Sequence, residues 1–116
     1  MNNTLTLLKM GFESSTETTP EFKRFIRTFK SEFNKLLQKL GCTGLECHNG
    51  HFYISGFFNS ANGQLWYFSL PDVRDMVHGG SLLVRTAKHR KDYYGGTNRY
   101  ADMSSLEEEL SRILRH

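Results

Sequence analysis

Between residues 22 and 40 the apolar side chains Phe22, Phe25, Ile26, Phe29, Phe33, Leu36, Leu37 and Leu40 recur at intervals of three and four. That interval follows the turn of an α-helix, so all of them fall on one stripe, and a stripe this rich in phenylalanine has to be laid against another layer. Thr18 and Glu21 have the spacing of a capping box, Pro20 stands where the first turn tolerates a missing N–H, and Gly41 supplies the terminating residue. The chain therefore predicts a helix from about residue 20 to Gly41. Its opposite side holds Lys23, Arg24, Arg27, Lys30, Lys35 and Lys39 against Glu21 and Glu32. Such a side ordinarily serves as a solvated face, and it also extends any basic footprint elsewhere.

Two hairpin signals follow. Asn49-Gly50, between Leu45-Glu46-Cys47-His48 and His51-Phe52-Tyr53-Ile54, is the pair that a type I′ turn requires, and Asn62-Gly63 precedes the run Gln64 to Leu70. Together they predict a three-stranded meander. Pro71-Asp72 opens a turn or short helical segment that His78-Gly79-Gly80 breaks, and Leu82 to Ala87 reads as a fourth strand. Ser104 with Glu107 repeats the capping-box spacing. Behind it Leu106, Leu110, Ile113 and Leu114 form a second stripe, with glutamates early and Arg112 and Arg115 late, as the helix dipole prefers. The expected fold is α+β: a four-stranded antiparallel sheet, a β-meander plus one strand, flanked on one face by an N-terminal and a C-terminal helix. Residues 1–19 read as an N-terminal segment and linker, in which Leu5 to Leu8 has the makings of an edge strand, and residues 20–116 as a single domain.

A chain of 116 residues can bury a core without obligatory metal or disulfide support. No apolar run approaches the roughly 18 residues of a membrane span, and the N-terminus lacks a secretory pattern, so a soluble, cytoplasmic protein without membrane partners is expected. Cys42 and Cys47 are too few and too close for a disulfide framework, in keeping with a reducing compartment.

The net charge of +3 is mild, so electrostatics depend on where the charges lie. They concentrate between Arg85 and Arg99, where Arg85, Lys88, Arg90, Lys91 and Arg99 are answered by Asp92 alone. Tyr93 and Tyr94 add rings for stacking, and Gly95-Gly96 lets backbone approach a ligand. Phe52, Tyr53, Phe57, Phe58, Trp66, Tyr67 and Phe68 exceed what one core face takes. Some should therefore form a contiguous patch on the uncovered side, with Tyr53 and Trp66 as platform residues. In a two-residue hairpin at Asn49-Gly50, His48 stands opposite His51, with Glu46 and Tyr53 on the same face and Leu45, Cys47, Phe52 and Ile54 on the other. Cys42, Cys47, His48 and His51 are zinc-type donors close in sequence, although alternation sends Cys47 away from the histidines. A buried cysteine, a loop cysteine and two surface histidines are the simpler account, so no cofactor is expected beyond a possible zinc ion.

Catalytic patterns are missing. Glu46, Asp72, Asp75 and Asp92 with Lys88 or Lys91 are the material of a metal-dependent nuclease, with His78 or His89 as base, but no spacing requires it, and nucleophile-elbow and phosphate-cradling sequences are absent. The element order resembles the double-stranded RNA-binding domain. That family carries a basic cluster where Glu107-Glu108-Glu109 stands here, and the strand at 82–87 is additional, so the activity is not carried over. The runs Gly50 to Phe58, Trp66 to Ser69, Leu83 to His89 and Asp92 to Gly96 resemble small proteins of phages and conjugative elements of gut bacteria, among which are anti-defence inhibitors of the anti-CRISPR kind. The resemblance implies a mobile-element protein in a bacterial host cytoplasm. It would inhibit by stoichiometric protein binding or nucleic-acid binding, engaging an effector or its nucleic acid through Arg85, Lys88, Arg90, Lys91, Tyr93, Tyr94 and Arg99. The alternative is a free-standing RNA- or single-strand-binding module.

Overall fold

The computed structural model describes residues 20–50, 53–70, 81–92 and 96–115. Helix α1 (Pro20–Lys39) is followed by strands β1 (Thr43–Asn49), β2 (Ile54–Asn59), β3 (Leu65–Leu70), β4 (Ser81–Thr86) and β5 (Arg99–Asp102). A 3₁₀ turn over Met103–Ser105 leads into helix α2 (Leu106–Leu114). The strands form one antiparallel sheet in chain order, a five-stranded meander. The expected α+β class holds, with one strand more than the sequence predicts. That strand, β5, buries a single residue, Ala101, so it has no alternation to betray it.

Helix α1 ends as its sequence predicts. Gly41 takes φ 81°, its N–H bonds to the Gln38 carbonyl at 3.0 Å, and the Cys42 N–H reaches back to the Leu37 carbonyl at 2.7 Å. This is a Schellman closure that a left-handed glycine makes cheap. Phe25, Ile26, Phe29, Phe33, Leu36 and Leu37 are buried against the sheet. Their partners are Ile54 and Phe58 of β2, Trp66, Phe68 and Leu70 of β3, and Leu82 and Val84 of β4, and α2 adds Leu106, Leu110 and Ile113 to the same core. Phe33 is its centre, stacked on Phe29 at 5.1 Å and edge-on to Phe68 at 4.9 Å and Phe58 at 6.1 Å. Helix α2 begins one residue later than the capping box expected at Ser104 implies. Its N-cap position is Ser105 without a side-chain bond, and the Glu107 carboxylate takes the Lys39 ammonium of α1 at 3.0 Å instead.

The first hairpin departs from its expected register. Gly50 N–H bonds to the Tyr53 carbonyl, Asn49 pairs with Ile54 and His48 with Ser55, so His48 does not face His51, and the second strand runs over Ile54–Asn59, not His51 to Ile54. The pairing has slid by an even number of positions, which leaves Glu46, Cys47, His48, Tyr53 and Ile54 on their expected faces. Register is fixed from the next hairpin, where Ser60 and Gln64 close a turn with Gly63 at φ 87° and set Phe58 opposite Trp66. In β1 a bulge between Thr43 and Glu46, with Gly44 at φ 68°, shifts the ladder once more. The segments predicted at Leu5–Leu8 and residues 71–80 lie outside the described residues.

Candidate binding surface

Register assigns the two sheet faces. Leu45, Cys47, Ile54, Gly56, Phe58, Trp66, Phe68, Val84 and Arg99 share the helix side, whereas Glu46, Phe57, Tyr67 and Arg85 form one cross-strand row on the second face and His48, Ser55, Ser69, Leu83 and Tyr100 the next. Arg85 and Arg99, paired or adjacent through Val84, therefore stand on opposite faces, and the basic run does not form one surface. Trp66 is 3 % exposed in the core and offers no stacking platform.

The second face is also not a bare aromatic patch. Phe57 is fully buried there, with the Tyr67 ring edge-on at 5.4 Å. The Arg85 guanidinium lies over the Tyr67 ring at 4.5 Å and donates to Asn98 Oδ1 at 3.3 Å. Beyond β4 the chain turns at residues 88–92, where Lys88 N–H donates to the Asp92 carboxylate at 3.0 Å and Lys91 N–H to His89 Nδ1 at 3.2 Å. Asp92 and His89, candidates for catalysis in the sequence, are thus engaged in holding a turn. From that turn Arg90 reaches β1, donating to the Gly44 carbonyl at 3.0 Å and to Glu46 at 3.3 Å. Since β1 and β4 are three inter-strand steps, roughly 14 Å, apart, the Arg90 side chain straps the segment after β4 to the edge strand β1. Gly96, at φ 77°, brings the chain back against Thr86, whose carbonyl a Cβ would meet at 2.5 Å. The close approach expected for a ligand is used by the chain itself. Lys88, Lys91 and Arg99 remain exposed, Tyr53 is 40 % exposed, and Tyr93 and Tyr94 lie outside the described residues.

Glu46 is the hub of this strap. His48 Nε2 lies 2.6 Å from its carboxylate, and that hydrogen bond, helped by Arg90, holds the carboxyl below its ordinary value of 4.5. A carboxylate favoured in the folded state contributes fully above its ordinary pKa, and the contribution fades as pH falls through the lowered one. Glu46→Gln should therefore be slightly less stable than the native chain at pH 6, by less than about 1 kcal/mol because the pair is exposed. The gap should narrow as pH falls below 4.5 and through the lowered value of the carboxyl, read as the urea midpoint of both proteins from pH 6 downward.

The described zinc donors, Cys42, Cys47 and His48, do not come together. Cys42 is in the core behind α1, Cys47 is on the helix side of β1, His48 is on the opposite side, and His51 lies outside the described residues. Among the described residues no three of His, Cys, Asp or Glu converge. Burial raises both thiols, Cys47 to about 11 with the Lys30 charge working against the rise, so neither is a thiolate at neutral pH.

The exposed cations gather instead on α1. Lys23, Arg24, Arg27, Lys30, Lys35 and Lys39 are all exposed. Between α1 and β1 runs an open groove of about 760 Å³, with Arg27, Lys30, Lys35, Asn34 and Gln38 on the helix wall and Leu45 and Cys47 on the strand wall. The sequence displays these charges openly; what it conceals is the groove, which exists because α1 packs across the sheet and leaves its outer flank above the edge strand. No protein family, curated protein or solved structure matches this chain. Among the described residues no helix is long and apolar enough to cross a membrane.

Proposed function

We propose that this chain is a non-catalytic binding protein of a mobile genetic element, an inhibitor of the anti-CRISPR kind that occupies an acidic surface of an effector protein. The supporting observation is the separation of charge from rings. The cations of α1 are exposed, while Phe25, Phe29, Phe33, Phe57, Phe58, Phe68 and Trp66 are buried. Single-stranded nucleic acid is held by bases stacked on rings as well as by phosphate contacts. A surface that offers charge and side-chain amides without rings suits carboxylates better. The mobile-element assignment rests on the resemblance within residues 50–100.

The second reading, a nucleic-acid-binding module, is favoured by Tyr53 and Tyr100, which are 40 % and 58 % exposed on the second face, and by the exposed Lys88 and Lys91 in the turn after β4. Titration into a CRISPR effector cleavage assay separates the two. Inhibition should saturate at about one chain per complex, with co-elution on gel filtration, and the triple variant Arg27→Glu, Lys30→Glu, Lys35→Glu should lose about tenfold or more in potency. A shift of labelled oligonucleotides by the chain alone, weakening steeply between about 50 and 200 mM salt as counterions are released, would establish the second reading instead.

A further inference from the structure

Among the described strands β1 is an edge of the sheet, and the pattern of its ladder says which of its backbone groups β2 leaves unpaired. The Gly50 N–H is bonded to Tyr53, so counting back by twos His48 and Glu46 turn their N–H and C=O groups toward β2, while Cys47 and Asn49 turn theirs outward. Among the described residues no strand pairs with that outer edge. The side chains of Leu45 and Cys47 form one wall of the groove whose other wall carries Arg27, Lys30 and Lys35. A free ladder edge beside a cationic wall specifies an occupant: an extended backbone to complete the ladder, with acidic side chains on its helix-facing side.

The spacing agrees. Arg27 to Lys35 spans about 12 Å of helix. Three same-face residues of a strand, i, i+2 and i+4, span about 13 Å. A second copy of this chain fits worse, because pairing β1 with β1 would bring two such cationic walls together in a chain already at +3. Single-stranded nucleic acid fits worse as well, since neither wall carries a ring.

We propose that the β1 edge and its groove receive an extended acidic segment of a partner protein as an added strand, with its carboxylates on Arg27, Lys30 and Lys35. This rests on the reading of the chain as a binder of acidic protein and names the part of the partner that is bound. The test uses the full chain and a labelled eight-residue peptide alternating glutamate with threonine or valine, with a lysine-containing counterpart and a dT12 oligonucleotide as comparisons. The glutamate peptide should bind, and amide exchange should slow at Cys47 and Asn49 on binding, with Glu46 and His48 protected from the start. Lys30→Glu with Lys35→Glu should weaken binding about tenfold. Asn49→Pro, which removes an outward N–H at an edge position that tolerates proline, should weaken it while leaving the thermal midpoint nearly unchanged. Binding of the glutamate peptide without slowed exchange at Cys47 and Asn49 overturns strand addition and leaves the acidic-partner reading standing. Failure of the glutamate peptide to bind overturns strand addition, and if effector co-elution is also absent, the acidic-partner reading falls too. Tighter binding of dT12 than of the peptide assigns the groove to nucleic acid.

Discussion

Phe33→Ala should cost about 3–5 kcal/mol, the range for removing a phenylalanine from a packed core. Phe33 is fully buried and touches rings from three elements: Phe29 on its own helix, Phe58 on β2 and Phe68 on β3. Collapse around the missing ring is therefore hindered, because its neighbours are anchored from both layers. With total stabilities of about 5–15 kcal/mol for a domain of this kind, the loss takes a large share. The thermal midpoint should fall by more than about 10 °C. A conservative Phe33→Leu should recover more than half of it, and an alanine variant losing less than about 1 kcal/mol would show that the ring is not central to the packing.

Gly56→Ala should be almost as damaging, for a different reason. A Cβ at this position would collide with the Glu46 carbonyl oxygen on β1 and sit 3.1 Å from the Phe68 ring. The obstacle is backbone, which cannot swing aside as a long side chain can, so β1 has to move away from β2. We expect about 3 kcal/mol, the upper part of the usual range for overfilling. Gly63→Ala supplies the comparison: its Cβ would meet nothing within 4 Å, and its φ of 87° alone should cost about 1–2 kcal/mol. The two variants should also differ in place. In Gly56→Ala, the amides of Glu46 and His48 should lose exchange protection while those of β3 and β4 keep theirs, and the Arg90 contacts with Gly44 and Glu46 should loosen with them. Uniform loss of protection across the sheet would contradict the displacement of β1.

How far the sequence speaks can be judged element by element. Helix α1 is legible because stripe, basic flank and terminating glycine all agree, and each is a local property. The first hairpin is half legible. Alternation assigns the faces of β1 and β2, but the run from Phe52 to Phe58 reads equally well at two registers. The choice between them is made far away, where Phe58 must meet Phe33 and Trp66. Strand β5 is invisible because it has one buried residue and forms by covering the far side of β4. The basic run is legible as composition and misleading as a surface. Nothing local to Arg85 or Arg90 records that the ring of Tyr67 and the bulge carbonyl of Gly44 will receive them. Arg85 and Arg90, which the sequence shows as unanswered, are met by a ring, a side-chain amide and a backbone carbonyl, and Arg90 also by the sequence-distant Glu46 carboxylate.

Chain order within the core has a consequence for biosynthesis. Phe25, Phe29 and Phe33 leave the ribosome first, and the sheet residues they pack on, Phe58, Phe68 and Val84, follow much later. At about 5–20 residues per second, the 35 positions between Phe33 and Phe68 take roughly 2–7 s to synthesise. For that interval a nascent helix would carry an uncovered row of aromatic rings, an opening for a chaperone or for a neighbouring nascent chain.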